Sequence, residues 1–168
     1  MDSRKRVEEM IKNYPDNLAL MKSLEEESRS FVPVTESEVL DALNFPGRRE
    51  ETVRVQKSVC TTQVMQVAMS YRKLTWLMNQ SVRQEIAREY LKLSREVEFI
   101  RYAIRALPKF YRELMTFSVL EDKSWGEVCQ YFSISGSEFS RKRDRAVERM
   151  TSTFEQQYHY FGLENVDD

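Results

Sequence analysis

Residues 101–150, RYAIRALPKFYRELMTFSVLEDKSWGEVCQYFSISGSEFSRKRDRAVERM, carry the clearest structural signals in the chain. Leu107 is followed by Pro108, whose fixed φ angle suits the first turn of a new helix. Apolar residues then recur at helical spacing between residues 109 and 120. The polar sequence EDKS at 121–124 interrupts this spacing. The stretch therefore predicts a helix that begins at Pro108 and ends before a turn at EDKS.

Two capping-box patterns follow this turn. Ser124 precedes Glu127 by three residues, and Ser135 precedes Glu138 by the same spacing. In a capping box, the serine side-chain oxygen accepts a hydrogen bond from the backbone N–H of the glutamate three residues later. The glutamate side chain in turn accepts one from the serine backbone N–H. The patterns predict a helix of about two turns over residues 125–132 and another that begins after Ser135.

These two predicted helices have the arrangement of a helix-turn-helix. Helices that cross steeply through a turn of three or four residues need a small residue where they approach, and Cys129 is predicted to take that position. Ile134 is predicted to fill the turn with an apolar side chain. In the second helix, the residues predicted to face the core are Phe139, Ala146, Val147 and Met150. Those predicted to face outward are Ser137, Ser140, Arg141, Lys142 and Arg145.

The outward residues of the second helix predict contact with double-stranded DNA. The second helix of such a module enters the major groove, which is about 12 Å wide, and its basic side chains reach phosphates or guanine edges. The alternative interpretation is that SRKRDRAVER forms a solvated helical face, as charge runs usually do. The combination of two capping patterns, a small residue at the crossing and an apolar turn residue favours DNA binding.

Composition predicts an all-α fold. Gly and Pro number four each among 168 residues, while 41% of residues are hydrophobic and 32% are charged. Such a chain can bury a core and has few turn-forming residues. The formal net charge is −1, but residues 101–150 hold 10 Lys and Arg against 7 Asp and Glu, a local balance of +3. The tail from residue 151 to 168 holds four acidic residues and no Lys or Arg.

Helical patterns also precede the predicted DNA-binding module. Residues 3–29 predict a helix or helix pair broken at Pro15, and residues 35–43 predict a short helix capped by Thr35. A heptad seam then predicts a long helix, as either a dimeric coiled coil or a helix packed on its own core. Its members are Ile86, Tyr90, Leu93, Val97, Ile100, Ile104 and Leu107.

The predicted organisation has four segments. Residues 1–52 form an N-terminal helical segment and connector, and residues 53–107 form a long helical region that is a possible homodimer interface. Residues 108–155 form the helix-turn-helix domain, and residues 156–168 form an acidic tail. The apolar residues from 61 to 78 are expected to pack on the seam helix or on a second chain. Trp76, Trp125 and the aromatic residues at 158–161 are expected to be core residues.

Several classes of function are excluded by what the sequence lacks. Cys60 and Cys129 lie far apart and His159 is the single histidine, so no metal site is expected. No nucleophile–base pair or phosphate-binding loop is visible, so we expect neither an enzyme nor a cofactor. No apolar run approaches the ~18 residues that span a membrane, and no signal peptide is recognisable. We therefore expect a cytoplasmic protein with reduced thiols.

The quoted stretch resembles the C-terminal DNA-binding region of bacterial sigma factors. The matching positions are Leu107, Pro108, Arg112, Ser124, Glu127, Val128, Cys129, Ile134, Ser135, Ala146 and Met150. More narrowly, EVEFIRYAIRALPKFYRELM with SWGEV and SRKRDRAVERM resembles phage-encoded transcription regulators of the ArpU and RinA type. The resemblance covers about 50 to 60 of the 168 residues. It implies a regulator that binds duplex DNA and acts with host RNA polymerase.

Two residues depart from the sigma-factor pattern. Ser133 stands where glycine is usual in the turn, so a positive φ would be strained there. Arg143 stands at an inward position that is usually Leu or Ile, so its stem is expected to lie along the core.

The N-terminal part also lacks the basic-aromatic helix with which a sigma factor opens DNA. The alternatives to a regulator are a sigma-like adaptor that binds protein, a true sigma factor and a phage DNA-packaging protein.

Overall fold

The fold is entirely helical in the residues that the structure, a computed structural model, describes, namely 2–43 and 60–163. This confirms the predicted all-α class. Side chains are described for residues 2–39 and 70–163. The helices are α1 (Ser3–Ser30), α2 (Glu36–Leu43), α3 (Cys60–Ala106), α4 (Lys109–Met115), α5 (Trp125–Phe132) and α6 (Gly136–Gln157), with a π-helical segment at Thr116–Leu120 after α4.

The described residues belong to two compact units. The first unit takes its residues from Met1–Glu26 and Glu89–Asp168, and the second from Glu27–Arg88. The first unit therefore combines most of α1, the C-terminal part of α3 and all the helices that follow. The sequence did not predict that α1 would share a core with the C-terminal module.

Helix α1 supplies one face of the core of the first unit. Val7, Met10, Ile11 and Tyr14 recur at helical spacing and are all at most 5% exposed. The predicted break at Pro15 is wrong, because α1 continues through it from Ser3 to Ser30. A proline inside a helix costs about 3 kcal/mol. Burial of the face around Tyr14 offsets this, since tertiary packing contributes more to helix stability than propensity does.

Three side-chain hydrogen bonds join α1 to α3 inside the first unit. Asn17 Nδ2 donates to Glu96 Oε2 at 2.9 Å, Tyr90 Oη donates to Glu25 Oε1 at 2.9 Å, and Arg101 Nε donates to Tyr14 Oη at 3.1 Å. The bond to the Glu25 carboxylate raises the pKa of the Tyr90 hydroxyl. These bonds set which residues of α1 lie beside which residues of α3. An apolar face alone would allow the two helices to shift along each other.

The C-terminal half of the heptad seam is part of the chain's own core. Val97, Ile100, Ile104 and Leu107 are at most 5% exposed and belong to the same cluster as residues of α1, α4 and α6. This supports the interpretation of the seam as a helix packed within one chain, and the homodimer stays a prediction. Residues 61–78 belong to the same continuous helix as the seam and not to a separate helix that could pack on it, and packing on a second chain stays a prediction.

The expected core positions of both tryptophans are wrong. Trp76 is 60% exposed and Trp125 is 58% exposed. The expectation for the aromatic residues near the C-terminus holds in part. Phe161 packs edge-on against Phe99 with ring centroids 5.6 Å apart, whereas Tyr160 is 83% exposed.

The second unit contains the predicted short helix. Thr35 N–H donates to Glu38 Oε2 at 2.7 Å, and Glu38 N–H donates to Thr35 Oγ1 at 3.3 Å, so the predicted capping box at α2 is confirmed. Residues before it are held by Asn79 of α3, whose side-chain amide exchanges two hydrogen bonds with the Val34 backbone, at 2.8 and 3.0 Å.

Candidate nucleic-acid interface

Helix α4 and the π-helical segment replace the single helix predicted for residues 109–120. Pro108 is the N-cap of α4, with φ −55° and ψ 149°, one residue before its predicted helical position. The regular helix ends at Met115, and the wider π-helical turn follows over Thr116–Leu120. The last residues buried before α5 are Leu114, Met115 and Val119. They anchor the α4 side of the site to the core.

The start of α5 is fixed by the first predicted capping box, which is confirmed. Glu127 N–H donates to Ser124 Oγ at 3.4 Å, and Ser124 N–H donates to Glu127 Oε2 at 2.9 Å. The hydrogen bonds from the Ser124 hydroxyl and backbone lower the pKa of the Glu127 carboxyl. The carboxylate therefore stays ionised at neutral pH, where it also complements the positive end of the helix dipole.

The turn between α5 and α6 uses a left-handed serine. Ser133 has φ 51° and ψ 44°, so this position, where glycine is usual, does require a positive φ. Its N–H donates to Gln130 O at 3.3 Å, and Ile134 N–H donates to Cys129 O at 3.1 Å. This is the bonding of a Schellman motif, which terminates α5 and reverses the chain toward α6. Cys129 and Ile134 pack partly buried against the core, as predicted.

Replacing Ser133 with glycine is expected to stabilise the protein. A left-handed residue other than glycine costs about 1–2 kcal/mol, and part of that strain would be released. We expect the melting temperature, measured by circular dichroism, to rise by about 2–4 °C per kcal/mol gained. Ser133→Val should lower it, because a β-branched side chain is the least compatible with positive φ. An unchanged melting temperature in both variants would contradict the strain.

The start of α6 differs from the second predicted capping box. Ser135 Oγ accepts a hydrogen bond from Glu138 N–H at 3.3 Å, as predicted. The Glu138 carboxylate does not return to the Ser135 N–H; it binds Lys142 Nζ one turn later at 2.9 Å. The ring of Trp125 also lies directly over Gly136, where any Cβ would overlap it. No sequence pattern predicted this contact between the starts of α5 and α6.

Helix α6 has the two faces that its sequence predicted. Phe139, Ala146, Val147 and Met150 are buried, and Arg143 is half-buried as expected for an arginine whose stem lies along the core. Of the predicted contact residues, Ser137, Ser140, Arg141 and Arg145 are exposed. Among the residues whose side chains are described, 2–39 and 70–163, no carboxylate forms an ion pair with Arg141 or Arg145.

Lys142 differs from the other predicted contact residues. Its side chain is only 28% exposed, and besides the ion pair with Glu138 its Nζ lies 4.1 Å from the centroid of the Phe110 ring. A cation above an aromatic face is attracted by the ring quadrupole. Lys142 therefore braces α6 against α4, and much of its charge is already neutralised within the protein.

Two acidic residues also lie on the exposed side of α6. Asp144 and Glu148 are exposed, and the 100° step of the helix places them on the same face as Ser137 and Arg141. A helical projection of residues 137–148 would have revealed them. Arg4 of α1 reaches this face, with its Nη2 3.8 Å from Asp144 Oδ1. No sequence pattern linked Arg4 to α6.

A ladder of aromatic rings borders the site on the side of α4 and α5. Phe117 and Tyr131 stack with centroids 4.4 Å apart, and Phe132 meets both rings edge-on at 6.2 and 5.0 Å. Tyr131 is 67% exposed. The ladder and Arg112 line a shallow groove of about 380 Å³. The groove combines these three aromatic rings with the charged residues Arg112, Glu113 and Glu121.

No protein-family model, curated protein or solved structure matches the chain. The resemblance to sigma factors and to regulators of the ArpU and RinA type therefore rests on the residues quoted above. In the described parts of the chain, no helix combines the length and the apolar character needed to cross a membrane.

Proposed function

We propose that this chain is a sequence-specific regulator of transcription that binds double-stranded DNA through a helix-turn-helix formed by α5 and α6. We further propose that it is encoded by a phage or prophage and acts in the cytoplasm with host RNA polymerase. The observation that carries the proposal is the exposed pair Arg141 and Arg145, whose guanidinium groups have no carboxylate partner among the described residues. No cofactor or catalytic step is part of it.

The local structure supports major-groove entry by α6. The Schellman turn at Ser133 and the cap at Ser135 set the direction in which α6 leaves α5. Ser137 and Ser140 are exposed in its first turns, where residues of a recognition helix meet base edges. Arg141 and Arg145 follow one and two turns later, at a spacing suited to guanine edges or to phosphates flanking the groove.

One observation favours a second function, that of a protein-binding adaptor. The groove beside Tyr131 is aromatic, and exposed aromatic residues are enriched at protein interfaces. A gel shift with random-sequence duplex at two salt concentrations separates the two functions. A DNA-binding regulator shifts the duplex with strong salt dependence, and an adaptor does not.

The role in transcription leads to a prediction about promoter opening. The chain should fail to start transcription with core RNA polymerase, because opening needs several exposed aromatic residues among positive charge to stack unpaired bases, at about 1–3 kcal/mol each. Among its described side chains, helix α3 presents one aromatic ring that is more than half exposed, Trp76, near Arg72 and Lys73. It should change the output of polymerase that carries a host sigma factor, at a promoter bearing a site selected from genomic fragments. A purified transcription reaction with and without sigma factor measures this. Specific transcripts from core enzyme and this protein alone would make it a sigma factor.

A further inference from the structure

The first turn of α1 lies beside the exposed face of α6. Arg4 N–H donates to Asp2 Oδ1 at 3.2 Å, so the beginning of α1 is capped. The Arg4 side chain is 50% exposed; its Nε donates to Glu8 Oε1 at 2.9 Å, and its Nη2 lies 3.8 Å from Asp144 Oδ1. One guanidinium thus stands between a carboxylate of its own helix and one on the face proposed to meet DNA.

The exposed side of α6 carries charges of both signs. Arg141, Arg145 and Arg149 contribute three positive charges, and Asp144 and Glu148 contribute two negative charges. Duplex DNA carries one negative charge per about 1.7 Å of its axis, so an uncompensated carboxylate on a binding face opposes association. Arg4 lies beside Asp144 and shares its charge between that carboxylate and Glu8, so it offsets part of the negative charge on this face.

We propose that Arg4 belongs to the DNA-binding surface, where its charge offsets Asp144 and allows the second half of the exposed face of α6 to approach the phosphate backbone. The inference rests on the proposed function, and it adds a residue far from α6 in sequence to that surface. The duplex would then be bound by two helices, α6 in the groove and the first turn of α1 at its edge.

The contact between Arg4 and Asp144 is expected to contribute little to the stability of the fold. Asp144 is 60% exposed and its nearest oxygen is 3.8 Å from Arg4, and exposed pairs of this kind contribute little to stability. The buried face of α1, from Val7 to Tyr14, already holds the helix in the core. Glu8 raises the pKa of the Arg4 guanidinium most, and Asp144 and Glu148 add to the increase, so the cation interacts with both carboxylates on α6.

The test compares Arg4→Gln, Asp144→Asn and the double variant in the full chain. The matched control is Lys22→Gln, an exposed cation eighteen residues along α1. Eighteen residues make five helical turns, so Lys22 lies on the same side of α1 as Arg4 but about 27 Å away. The probe is a labelled random-sequence duplex, and fluorescence anisotropy gives its Kd at low and high salt. Circular dichroism confirms that each variant is folded.

We expect Arg4→Gln to weaken binding by about threefold at low salt and by less at high salt, where exposed charges are screened. Asp144→Asn should tighten binding, the double variant should return close to wild type, and Lys22→Gln should have no effect. If Asp144→Asn weakens binding as Arg4→Gln does, the pair only tethers two helices and the inference is wrong. Equal affinities for Arg4→Gln and Lys22→Gln also overturn it, while leaving the proposed function intact. A wild-type chain that does not bind the duplex overturns both.

Discussion

Replacing Phe99 with alanine is expected to destabilise the first unit by about 3–5 kcal/mol, the usual loss for a fully buried phenylalanine. Phe99 is 0% exposed and meets Phe154 and Phe161 edge-on, with ring centroids 5.3 and 5.6 Å apart. Its ring thus joins α3 to the end of α6 and to the residues after it. Truncation to alanine would leave a cavity between α3, the end of α6 and the residues after α6. This cavity cannot close unless α6 moves.

The measurement is urea denaturation followed by circular dichroism. Leu91→Ala is the matched control, because Leu91 lies on the same helix but is 53% exposed, and exposed positions change stability by about 0.5 kcal/mol or less. A denaturation midpoint for Phe99→Ala equal to that of the control would show that this part of the core is packed differently. At a temperature where half of the Phe99→Ala molecules are unfolded, we also expect duplex binding to fall, because α6 packs on the same core.

Local signals in the sequence predicted the start of α5 and the buried face of α6. Helix caps act over three residues, so Ser124 with Glu127 predicted the start of α5. The periodicity of Phe139, Ala146 and Val147 predicted the buried face of α6. In each case the determining residues lie within a few positions of the structure they determine.

Long-range contacts could not be predicted in this way. The seam at Val97 and Ile100 showed that α3 buries one face, but periodicity does not reveal whether the partner is α1 of the same chain or a second copy. The pairing of Lys142 with Glu138 competes with a capping box that has the same sequence pattern. Trp125 is exposed because its ring lies across the start of α6 at the surface, where Gly136 has no side chain to block it.

The outward face of α6 can be tested by removing two of its exposed arginines together. Arg141 and Arg145 are exposed and one turn apart. Lys142 is the less informative target, because Lys142→Ala would also remove the ion pair with Glu138 and the contact with Phe110. Its loss would mix a packing defect with a binding defect. Arg141 and Arg145 have no such contacts in the described structure, so a change in affinity reports on DNA directly.

Arg141→Ala with Arg145→Ala is expected to weaken duplex binding by about 100-fold at moderate salt, since each base-edge or phosphate contact contributes about 1–3 kcal/mol. If both arginines contact phosphates, the slope of log K against log salt should become shallower by about 1.8, or about 0.9 for each contact. If they contact guanine bases, the slope should stay unchanged and the preference for particular sequences should weaken. The control is Arg88→Ala with Lys92→Ala, which removes two exposed cations at the same four-residue spacing from α3. The urea midpoint should change in neither double variant, because all four side chains are exposed. Equal affinity in the two double variants would show that α6 is not the recognition helix, whatever the wild-type chain binds.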